Sequence, residues 1–540
     1  MCNFGRSRSR MSSTIAPPAP PGSASRGAGR LSVSGTPTIG ELLDGAAVLV
    51  TGGTGFLGGV LVEKLLRSCP GLARVYLLVR PRGGMDIHAR VRQLLDKPLF
   101  AGHSRESLDR VQPVAGDVSL PGLGLSAEDR ADLLQDARVV FHAAATINFN
   151  AALATAVNIN VLGSRRVLQL CQEMRALRAM VYVSTAYCNC TLQDTVRERV
   201  YPSGHDPDSI IGIVRDTDPE ALRDMTASLL GGHPNTYSFT KQLAENVLLA
   251  ERGRVRVAIV RPSIVMGTWS APFPGWVDNV KSGSFAFIAG AIKGVFRVAL
   301  ADPDKVADMV PADHVANLTI AAGWGAAVAE DVSDVQVYHM TSGNSNPLLW
   351  REYVGLTVQK CHEKPCTGMT WYPDAKVRSS YHRCLVVAYL FHLFPAIFVD
   401  LLARLTGHKP ELFDIQRKYL TGMQLVRKFT GSEWRFRTEG MAELAARMSP
   451  ADREDFYFDP ANYTWSEYLE RCVLGVREHY HKEKLDTLPR ATTQLRIWRC
   501  VHWTCHALLF AGLAAAGSAL VGWLPGLIVA AVFVLLFIWV

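Results

Sequence analysis

The first 40 residues of the chain contain no aspartate or glutamate and no extended apolar run. A secretory signal peptide needs an apolar core of about ten residues, so this start argues against secretion. The segment has five arginines among many Ser, Pro, Gly and Ala residues, and such a composition cannot bury enough apolar surface to fold. It predicts a disordered basic tail over residues 1–40, with an organelle transit peptide as the alternative.

Charged residues are absent from the other end of the chain, where residues 506–540 include no Asp, Glu, Lys or Arg. A membrane-spanning helix needs about 20 apolar residues. The run therefore predicts a membrane anchor over residues 501–540, either one tilted span or two short spans bent at Leu524-Pro525-Gly526. Lysines and arginines stand just upstream, which favours a cytosolic location for the preceding domain.

Paired metal-binding cysteines are missing as well. The eleven cysteines are scattered, and the close pairs Cys188/Cys190 and Cys361/Cys366 lack the spacing of a zinc site. This predicts reduced thiols in a cytosolic compartment and no metal site. The formal net charge is +8, but no pattern of basic and aromatic residues suits nucleic acid, so we expect no nucleic-acid partner.

A glycine-rich stretch, AAVLVTGGTGFLGGVLVEKLL, occupies residues 46–66. Its first five residues are wholly apolar, as in a buried parallel strand. Apolar residues then recur at helical spacing from Phe56 onward, while Glu63, Lys64 and Arg67 fall on the opposite side. The order of strand, glycine turn and helix predicts a dinucleotide-binding unit.

The glycines of the turn each have a role in such a unit. Gly52 permits the tight turn, Gly55 lets backbone amides approach a pyrophosphate, and Gly58 lets helix and strand pack closely. The N-terminus of the helix then faces the anion. The predicted cofactor contacts in this unit are Thr51, Gly52, Gly55, Phe56, Leu57 and Gly58.

Further short apolar runs alternate with helical pattern along the chain. They are residues 74–79, 111–118, 139–145, 180–185 and 255–260. Alternating strands and helices predict an α/β fold with a doubly wound parallel sheet. We expect this Rossmann-type domain over residues 41–350, with an insertion at 191–234 near the ligand edge of the sheet.

Beyond about residue 350 the strand pattern stops, and helical sequence rich in Trp and Arg follows. We therefore expect a helical domain over residues 351–500. It contains the apolar stretch 384–405, in which Pro395, Asp400 and Arg404 argue against a membrane span. The stretch is predicted to form a core or a membrane-facing surface of the helical domain.

An acidic residue that would clamp the ribose of NAD is absent from the end of the second strand, which reads VRPR. An arginine there can pair with the 2′-phosphate of NADP, so the sequence predicts NADP(H), with Arg80 favoured over Arg82. Asp117, followed by Val118 at the end of the third strand, can accept a hydrogen bond from the adenine, or can simply be a turn residue. Small residues such as Ala144 after the fourth strand let the cofactor lie close.

The pattern Tyr-x-x-x-Lys places a tyrosine and a lysine on one face of a helix. The ammonium can lower the pKa of the phenol and hold the nicotinamide ribose, while the phenol passes a proton to a carbonyl oxygen. The pattern occurs three times, at residues 237/241, 372/376 and 480/484. Only Tyr237 and Lys241 lie between predicted strands, on a helix that continues QLAE, so we assign catalysis to this pair.

A hydroxyl that holds the substrate oxygen is expected at the carboxyl end of the fifth strand. Ser184 and Thr185 stand there, and Thr185 is favoured, with Ser184 as the second candidate. Capping of the next helix is the structural alternative for either residue. After the sixth strand, the tripeptide Arg261-Pro262-Ser263 is expected beside the nicotinamide, with Pro262 as a cofactor contact.

With these parts in place, the chain resembles an extended short-chain dehydrogenase/reductase, and within that group the fatty acyl-CoA reductases. The first domain has the marks TGGTGFLG, VYVSTAY, YSFTK followed by QLAE, RPSIV and VPADHVAN. The second has NPLLW, LFPAIFVDLLARLTGHKP and WSEYL. The resemblance covers roughly residues 45–500, and the apolar tail is similar to that of insect and animal members. The long Arg/Ser/Pro-rich start departs from the family.

The resemblance implies that NADPH reduces a long-chain acyl-CoA thioester in two hydride steps to a primary alcohol, with release of CoA. Tyr237 and Thr185 would stabilise the developing oxyanion, and Lys241 would hold the ribose. The helical domain would shield the acyl chain. Anchoring in the endoplasmic reticulum or peroxisome membrane would place the site beside the lipid bilayer.

Other functions share part of this pattern. A membrane-bound sterol dehydrogenase or a sugar epimerase has the Rossmann half and the Tyr–Lys pair, but lacks marks such as NPLLW and GHKP. Release of the aldehyde after one hydride is a narrower alternative. A cofactor-binding scaffold without activity would usually have lost Tyr237 or Lys241, and both are present.

Overall fold

A parallel sheet of seven strands lies at the centre of the computed structural model of this chain. The strands are β1 Ala47–Thr51, β2 Arg74–Val79, β3 Val111–Ala115, β4 Ala137–His142, β5 Ala179–Val183, β6 Val257–Pro262 and β7 Gln336–Met340. The structure describes residues 35–193, 195–278, 283–330 and 334–521. Most of the predicted basic tail and residues 522–540 of the predicted anchor lie outside the described residues.

The strand order is β7-β6-β5-β4-β1-β2-β3, which is that of a doubly wound dinucleotide-binding sheet. β1 pairs with β2 on one side and with β4 on the other, so Thr51 lies beside both Leu78 and His142. A crevice opens outside the carboxyl ends of the strands where the order reverses in this way, and ligands bind there. The predicted α/β class, with a helical region after the sheet, is confirmed.

β7 is a strand that the sequence did not predict. It pairs in parallel with β6, and its residue His339 lies opposite Arg261. The polar residues Gln336 and His339 interrupt the apolar run, so the segment lacks the pattern of a strand buried on both faces. Burial of His339 becomes possible because Arg261 hydrogen-bonds to its ring.

Helices cover both faces of the sheet and then dominate the C-terminal region. Those of eight or more residues are α1 Phe56–Ser68, α2 Ile87–Leu95, α3 Ala127–Asp136, α4 Gly163–Glu173, α5 Pro207–Asp216, α6 Pro219–Leu229, α7 Thr236–Glu251, α8 Gly283–Ile292, α9 Ala312–Ala327, α10 Trp350–Glu363, α11 Tyr381–Ala388, α12 Phe394–Leu405, α13 Leu412–Thr430, α14 Glu439–Arg447, α15 Trp465–Gly475 and α16 Leu488–Val521. The helix α7 begins at a side-chain cap, because the amide of Ser238 donates to Asn235 Oδ1 at 2.9 Å.

The helix α1 is buried on both sides, so the polar outer face expected for Glu63 and Lys64 is wrong. Both side chains are buried. Lys64 Nζ donates to the carbonyl of Asp455 and lies 4.6 Å from the ring centroid of Phe456. Glu63 accepts a hydrogen bond from Arg67 Nε at 2.8 Å. The C-terminal region covers this face, which a local pattern of polar residues does not reveal.

The C-terminal region returns to the sheet domain at a second place. The expected insertion at 191–234 contains α5, α6 and the short strand Thr195–Val196, which pairs in parallel with Arg435–Phe436. The amide of His339 in β7 donates to Glu198 in the insertion. The helical region therefore packs against the Rossmann part, and the described residues from Pro37 to Val521 belong to one compact unit.

The apolar stretch at 384–405 is exposed. It belongs to a continuous 25-residue helix, Tyr381–Leu405, made of α11, a π-helical stretch and α12. By length and composition alone, this helix qualifies as a membrane span among the described residues. The alternative that the stretch forms a core is wrong, because side chains such as Phe394 and Leu405 are 73% and 75% exposed.

Candidate active site

The glycine turn between β1 and α1 has no room for side chains. Gly52 has φ +75°, and a β-carbon there would lie 2.7 Å from the backbone of Ala143 and Ala144. A β-carbon on Gly58 would lie 2.2 Å from the carbonyl oxygen of Gly52. Both positions therefore require glycine, and the turn brings the ends of β1 and β4 together with the start of α1.

The start of α1 faces the crevice with unpaired backbone amides. The helix begins after Gly55, and the first-turn amides of an α-helix, here including Phe56 and Leu57, have no partner within the helix. Such a terminus binds anions through its amides and its dipole. The ring of Phe56 packs against Phe285 with centroids 5.8 Å apart, so its backbone is the part available to a pyrophosphate.

Thr51 fixes the geometry of this crevice. Its Oγ1 lies 2.7 Å from His142 Nδ1 and accepts a hydrogen bond from the amide of Ala144 at 3.2 Å. His142 Nε2 lies 3.0 Å from Ser164 Oγ, and burial with the nearby charge of Lys241 lowers the pKa of His142 to about 3. A neutral His142 therefore links β1, β4 and α4, and holds the backbone at Ala144 in place.

A depression of about 530 Å³ lies beside the ends of β2 and β3, and Arg80, Arg82 and Asp117 line it. Arg80 Nη1 donates to Asp117 Oδ2 at 3.3 Å, while the amide of Ser119 donates to Asp117 Oδ1 at 2.9 Å. Burial raises the pKa of Asp117, but the hydrogen bonds from Ser119 and Arg80 outweigh burial, and the pKa is lowered. The two predicted residues thus form one ionised pair.

Arg90 is a cationic residue at this place that the sequence did not single out. Its Nη2 donates to Thr54 Oγ1 in the glycine turn at 3.2 Å, and its Nη1 donates to the carbonyl of Arg80. Burial lowers the pKa of Arg90, as do the charges of Arg80 and Arg82. The Arg90 guanidinium therefore lies at the turn, and Arg80 and Arg82 are close enough to act on its charge. Arg90 has no sequence signal of its own, because it resembles any basic residue on an amphipathic helix.

Two further predicted cofactor residues lie at strand ends. Val118 is buried, its side chain lies against Gly163, and its carbonyl accepts a hydrogen bond from Arg166 Nη1 at 2.8 Å. Pro262 is buried and is the last residue of β6. The structure therefore brings Val118 and Pro262 to the edge of the sheet where the crevice opens.

Tyr237 lies in the first turn of α7, with its half-buried ring stacked on Phe149 at a centroid distance of 5.6 Å. Burial raises the pKa of the phenol, and hydrogen bonding with Thr185 lowers it by less. The sequence led us to expect a lowered pKa, and the structure shows the opposite because burial dominates. The phenol therefore keeps its proton at neutral pH, as a proton donor must.

Lys241 lies one turn further along α7 and is buried. Its Nζ donates to the carbonyl of Val183 at 2.8 Å and lies 4.5 Å from the ring centroid of Tyr182. Burial lowers the pKa of Lys241 to about 7, and the charge of Glu245 opposes this. The amine group is thus held at the carboxyl end of β5, next to Ser184 and Thr185 in the chain.

The two hydroxyl candidates after β5 differ in their partners. Thr185 Oγ1 accepts a hydrogen bond from the amide of Tyr187 at 3.3 Å and so caps a short 3₁₀ turn, as the structural alternative predicted. Thr185 also contacts Tyr237. Ser184 Oγ is buried, and within the described part of the chain it has no hydrogen-bond partner. The Ser184 hydroxyl lies close enough to the Cys188 thiol to lower the pKa of that thiol, against the larger effect of burial, so Ser184 remains the second candidate behind Thr185.

Arg261 fixes α7 against the sheet. Its Nε donates to Glu245 Oε1 at 2.9 Å, its Nη2 donates to Glu245 Oε2 at 2.5 Å, and its Nη1 lies 3.1 Å from His339 Nε2. Both members of the ion pair are fully buried. We expected the Arg261 side chain beside the nicotinamide. It instead hydrogen-bonds to Glu245 in α7, and it fixes the helix that carries Tyr237 and Lys241.

Asn160 connects the loop after β4 to α7. It lies in a π-helical stretch, Val157–Leu162, a distortion that often marks functional sites. Its Oδ1 accepts a hydrogen bond from the amide of Thr146, and its Nδ2 donates to Thr240 Oγ1, both at 2.9 Å. Sequence reasoning missed this residue, because nothing in the periodicity distinguishes it.

Aromatic side chains from both parts of the chain surround Tyr237. Phe149, which stacks on the phenol, lies 5.9 Å from Phe429 at the end of α13. Tyr187 lies 5.2 Å from Phe429 and 5.6 Å from Trp434 between ring centroids. We call Phe149, Tyr187, Phe429 and Trp434 the aromatic cluster. The helical region thus contributes directly to the surroundings of the predicted catalytic tyrosine, which the sequence did not reveal.

Comparison with known proteins identifies the family. A model of an NAD-binding domain described as Male sterility protein matches residues 50–319, and a second model with the same description matches residues 391–483. The chain is 38% identical to fatty acyl-CoA reductase 2 of Mus musculus over 468 residues, which cover 86% of this chain and 90% of the relative. It is 36% identical to fatty acyl-CoA reductase 2 of Homo sapiens over 477 residues, covering 88% and 92%.

Solved structures agree with the fold. The terminal R domain from the myxalamid PKS-NRPS biosynthetic pathway matches with a TM-score of 0.56 at 19% identity, covering 82% of this chain and 92% of that domain. The sheet order, the glycine turn and the NAD-binding family model define a Rossmann-type oxidoreductase with a nicotinamide cofactor. More specifically, the chain belongs to the fatty acyl-CoA reductase family. The resemblance drawn from the sequence motifs is confirmed.

Proposed function

We propose that the chain uses NADPH to reduce a long-chain fatty acyl-CoA to the primary alcohol, through a bound aldehyde and with release of CoA. One observation carries the proposal: a protonated Tyr237, the amine of Lys241 and the hydroxyls of Ser184 and Thr185 converge at the carboxyl end of β5. The carboxyl end of β5 is at the same edge of the parallel sheet as the glycine turn after β1, which supports one shared site. The relatives, named fatty acyl-CoA reductases, support the choice of substrate.

The residues suit the first reduction. NADPH, when bound, supplies a hydride, which adds to the carbonyl carbon of the thioester. The hydroxyls of Tyr237 and Thr185 stabilise the oxygen anion that develops, and preorganised donors of this kind supply much of the rate enhancement in acyl transfer. Because the Tyr237 phenol keeps its proton, it can donate that proton to the oxygen. The hemithioacetal then loses CoA and becomes the aldehyde.

The same residues suit a second reduction of the bound aldehyde. A second NADPH, when bound, would supply the hydride for the aldehyde carbon, and Tyr237 would again donate the proton to the oxygen. The complete reaction consumes two NADPH and two protons for each acyl-CoA, and yields one alcohol, one CoA and two NADP⁺. Release after the first step would give the aldehyde with one NADPH consumed.

The ammonium form of Lys241 is the one that can hold the nicotinamide ribose, so this function predicts a pH dependence. Burial lowers the pKa of Lys241 to about 7, so the ammonium is present below that pH and is lost above it. We expect kcat/KM for NADPH to fall by about tenfold per pH unit above about pH 7. The variant Lys241→Arg stays charged throughout, so it should lack this alkaline decline. A wild-type profile that is flat on the alkaline side would contradict this role.

The preference for NADPH over NADH is part of the proposal and rests on the arginines beside the glycine turn. Arg80 and Arg82 line one depression beside the turn, and Arg90 donates to the backbone carbonyl of Arg80. These cations support a proposed site for the 2′-phosphate of NADPH there. Guanidinium groups bind phosphate through paired, charge-assisted hydrogen bonds. No acidic residue follows β2 directly to repel the phosphate.

Replacement of Arg80 by alanine tests this preference. We expect Arg80→Ala to raise KM for NADPH by about 10- to 100-fold, because a charge-assisted contact contributes about 1.5–3 kcal/mol. KM for NADH, which has no 2′-phosphate, should change little. Arg82→Ala is the matched control and should have the smaller effect. Equal increases in KM for both cofactors would contradict the assignment.

The helical region, predicted over residues 351–500, is proposed to shield the acyl chain. The aromatic cluster supports this, because Phe429 and Trp434 come from that region and lie beside residues that contact Tyr237.

For the location of the protein, we propose a membrane anchor over residues 501–540. The catalytic part would lie in the cytosol, and the anchor would enter the bilayer of the endoplasmic reticulum or the peroxisome. The basic residues before the apolar tail support this orientation.

The function is tested with full-length protein in detergent, palmitoyl-CoA and NADPH, following NADPH oxidation and the release of the CoA thiol. Two NADPH consumed per CoA released are expected. A ratio of one would assign the enzyme to the aldehyde-releasing class and leave the site assignment unchanged. Absence of NADPH oxidation with acyl-CoA of any chain length would contradict the proposed function and would favour a sterol or sugar substrate.

A further inference from the structure

Large hydrophobic side chains are exposed together on one helical hairpin. We define the hairpin as residues 381–430, in which α11 and α12 run outward and α13 returns. The exposed side chains are Val386, Tyr389, Leu390, Phe394, Ile397, Phe398, Val399, Leu401, Leu402, Leu405, Phe413 and Ile415. Contiguous apolar surface of this kind marks a site of interaction with protein or membrane.

The base of the hairpin is anchored, so its position on the molecule is defined. His392 is buried, and its Nδ1 lies 2.9 Å from Gln416 Oε1 while its Nε2 accepts a hydrogen bond from the amide of Arg297 at 3.2 Å. Tyr419 donates from its hydroxyl to the carbonyl of Val298 at 2.7 Å. The hairpin packs on the protein with one face and presents the other to its surroundings.

The outer turn of the hairpin is built so that the chain returns to the protein. Asp400 accepts hydrogen bonds from the amides of Leu412 and Phe413 at 3.0 and 2.9 Å, which caps the start of α13. The returning helix is amphipathic and carries exposed charges at Arg417 and Lys418. Charged groups at the centre of a bilayer are costly, so α13 is unsuited to crossing one. The hairpin can enter a membrane surface but cannot span it as a pair of helices.

A chain of side-chain contacts joins the hairpin to α16, the helix that leads into the C-terminal tail. The Arg297 guanidinium lies 5.3 Å from the ring of Phe391 in the hairpin and 5.4 Å from the ring of Trp371. Trp371 Nε1 donates to His502 Nδ1 in α16 at 2.9 Å. On α16, Trp503 and its neighbours Leu508 and Leu509 are also exposed. Two segments that contact each other through Arg297 and Trp371 therefore both expose apolar side chains.

The charges around the hairpin favour an anionic surface. Residues 378–428 contain eight lysines and arginines and three acidic residues. The start of α16 adds Arg490, Arg496 and Arg499 without an acidic residue. Basic residues beside an apolar insertion are attracted to anionic lipid headgroups.

We propose that the hairpin is a docking surface for the anionic face of a lipid bilayer, into one leaflet of which α11 and α12 insert their exposed apolar side chains. This contact is additional to the tail and does not require the tail to span the membrane. α13 connects the surface to the active site, because Phe413 is exposed on the hairpin and Phe429 belongs to the aromatic cluster. Phe429 lies sixteen positions after Phe413, a distance of about 24 Å along the helix. A route for acyl chains along α13 would follow, which rests on the proposed function.

The experiment measures the depth of single positions in full-length protein reconstituted into vesicles of phosphatidylcholine and phosphatidylserine. Cys2 and the exposed Cys500 and Cys505 are replaced by serine, and Phe398→Cys carries an environment-sensitive nitrobenzoxadiazole label. Leu249→Cys, an exposed position on α7, is the matched control. A third label at Lys409→Cys reports on the hairpin tip. Lipid-borne nitroxides quench from inside the leaflet, and external dithionite reduces any label that water reaches.

The expected result is that shallow lipid nitroxides quench the label at 398 several-fold more than the label at 249. External dithionite should reduce the label at 409, and vesicles without phosphatidylserine should show weaker quenching at 398. Equal quenching at 398 and 249 would overturn the proposal. Protection of the label at 409 would indicate that the helix crosses the bilayer. A label at 398 that neither lipid nor dithionite reaches would indicate a second copy of the chain on this face. Because none of these readings uses activity, failure of the proposed function would not mimic them.

Discussion

The variant Tyr237→Phe is expected to reduce NADPH-dependent acyl-CoA reduction by about 10³-fold in kcat. A positioned general acid contributes about 10² to 10⁴ in rate, and Tyr237 is the protonated group that contacts Thr185 beside the crevice. The substitution removes one oxygen and preserves the ring that stacks on Phe149. The fold and the binding of NADPH, followed by fluorescence titration, should therefore remain close to those of the wild type.

The chain provides matched controls for this prediction, because Tyr-x-x-x-Lys occurs at two other places. Tyr372 stacks on His362 with centroids 4.7 Å apart, and Tyr480 is 46% exposed beside His481. Tyr372→Phe and Tyr480→Phe should leave kcat within about twofold of the wild type. A Tyr237→Phe enzyme that keeps more than about a tenth of the wild-type kcat would remove Tyr237 from the role of proton donor.

The variant Arg261→Ala is expected to lower the free energy of unfolding by about 3–5 kcal/mol, the cost of breaking a buried ion pair on one side. Arg261 and Glu245 are fully buried, and Arg261 also hydrogen-bonds to His339. Removal of the arginine leaves the Glu245 carboxylate buried without its cation. Denaturant unfolding of the detergent-solubilised protein, followed by tryptophan fluorescence, measures the change.

A double variant distinguishes the contribution of the ion pair itself from the cost of leaving one buried charge without its partner. Arg261→Met with Glu245→Leu removes both charges and keeps similar volumes, so we expect it to be more stable than Arg261→Ala. Its activity should still be reduced, because Glu245 raises the pKa of Lys241 and the pair positions α7. A loss of less than about 1 kcal/mol in Arg261→Ala would show that the pair does not hold the helix.

Local patterns were sufficient to predict the cofactor half of the molecule. The dinucleotide-binding unit is predictable because its parts interact over short distances in sequence. These parts are the apolar run, the glycines at 52, 55 and 58, and the following helix. The same is true of the Tyr237 and Lys241 pair, whose spacing follows from the helix repeat. These elements stand in the structure where the sequence placed them.

Contacts between distant segments were not predictable in this way. Phe149, Phe429 and Trp434 become neighbours only because the helical region folds back onto the sheet domain. The burial of Lys64 depends on Asp455 and Phe456, far along the chain. Polarity and periodicity describe one segment at a time, and none of these residues carries a local sign of its distant partner.

The pKa of Tyr237 is another property of the site that the local sequence pattern does not predict. The spacing of Tyr237 and Lys241 suggested a phenol with a lowered pKa, whereas burial raises it in the folded chain. The Lys241 amine donates to the carbonyl of Val183. The extent of burial depends on the whole fold, so a motif can point to a candidate catalytic pair but does not determine whether its groups are protonated.

The central claim is that a hydride from NADPH reaches the acyl carbon at this site, and isotope transfer tests it most directly. Full-length protein is supplied with palmitoyl-CoA and NADPH that carries deuterium in the transferable position at C4, and the lipid product is analysed by mass spectrometry. The proposed reaction predicts a fatty alcohol with two deuterium atoms on C1. An aldehyde with one deuterium would restrict the enzyme to the first step. A product without deuterium on C1 would contradict the account.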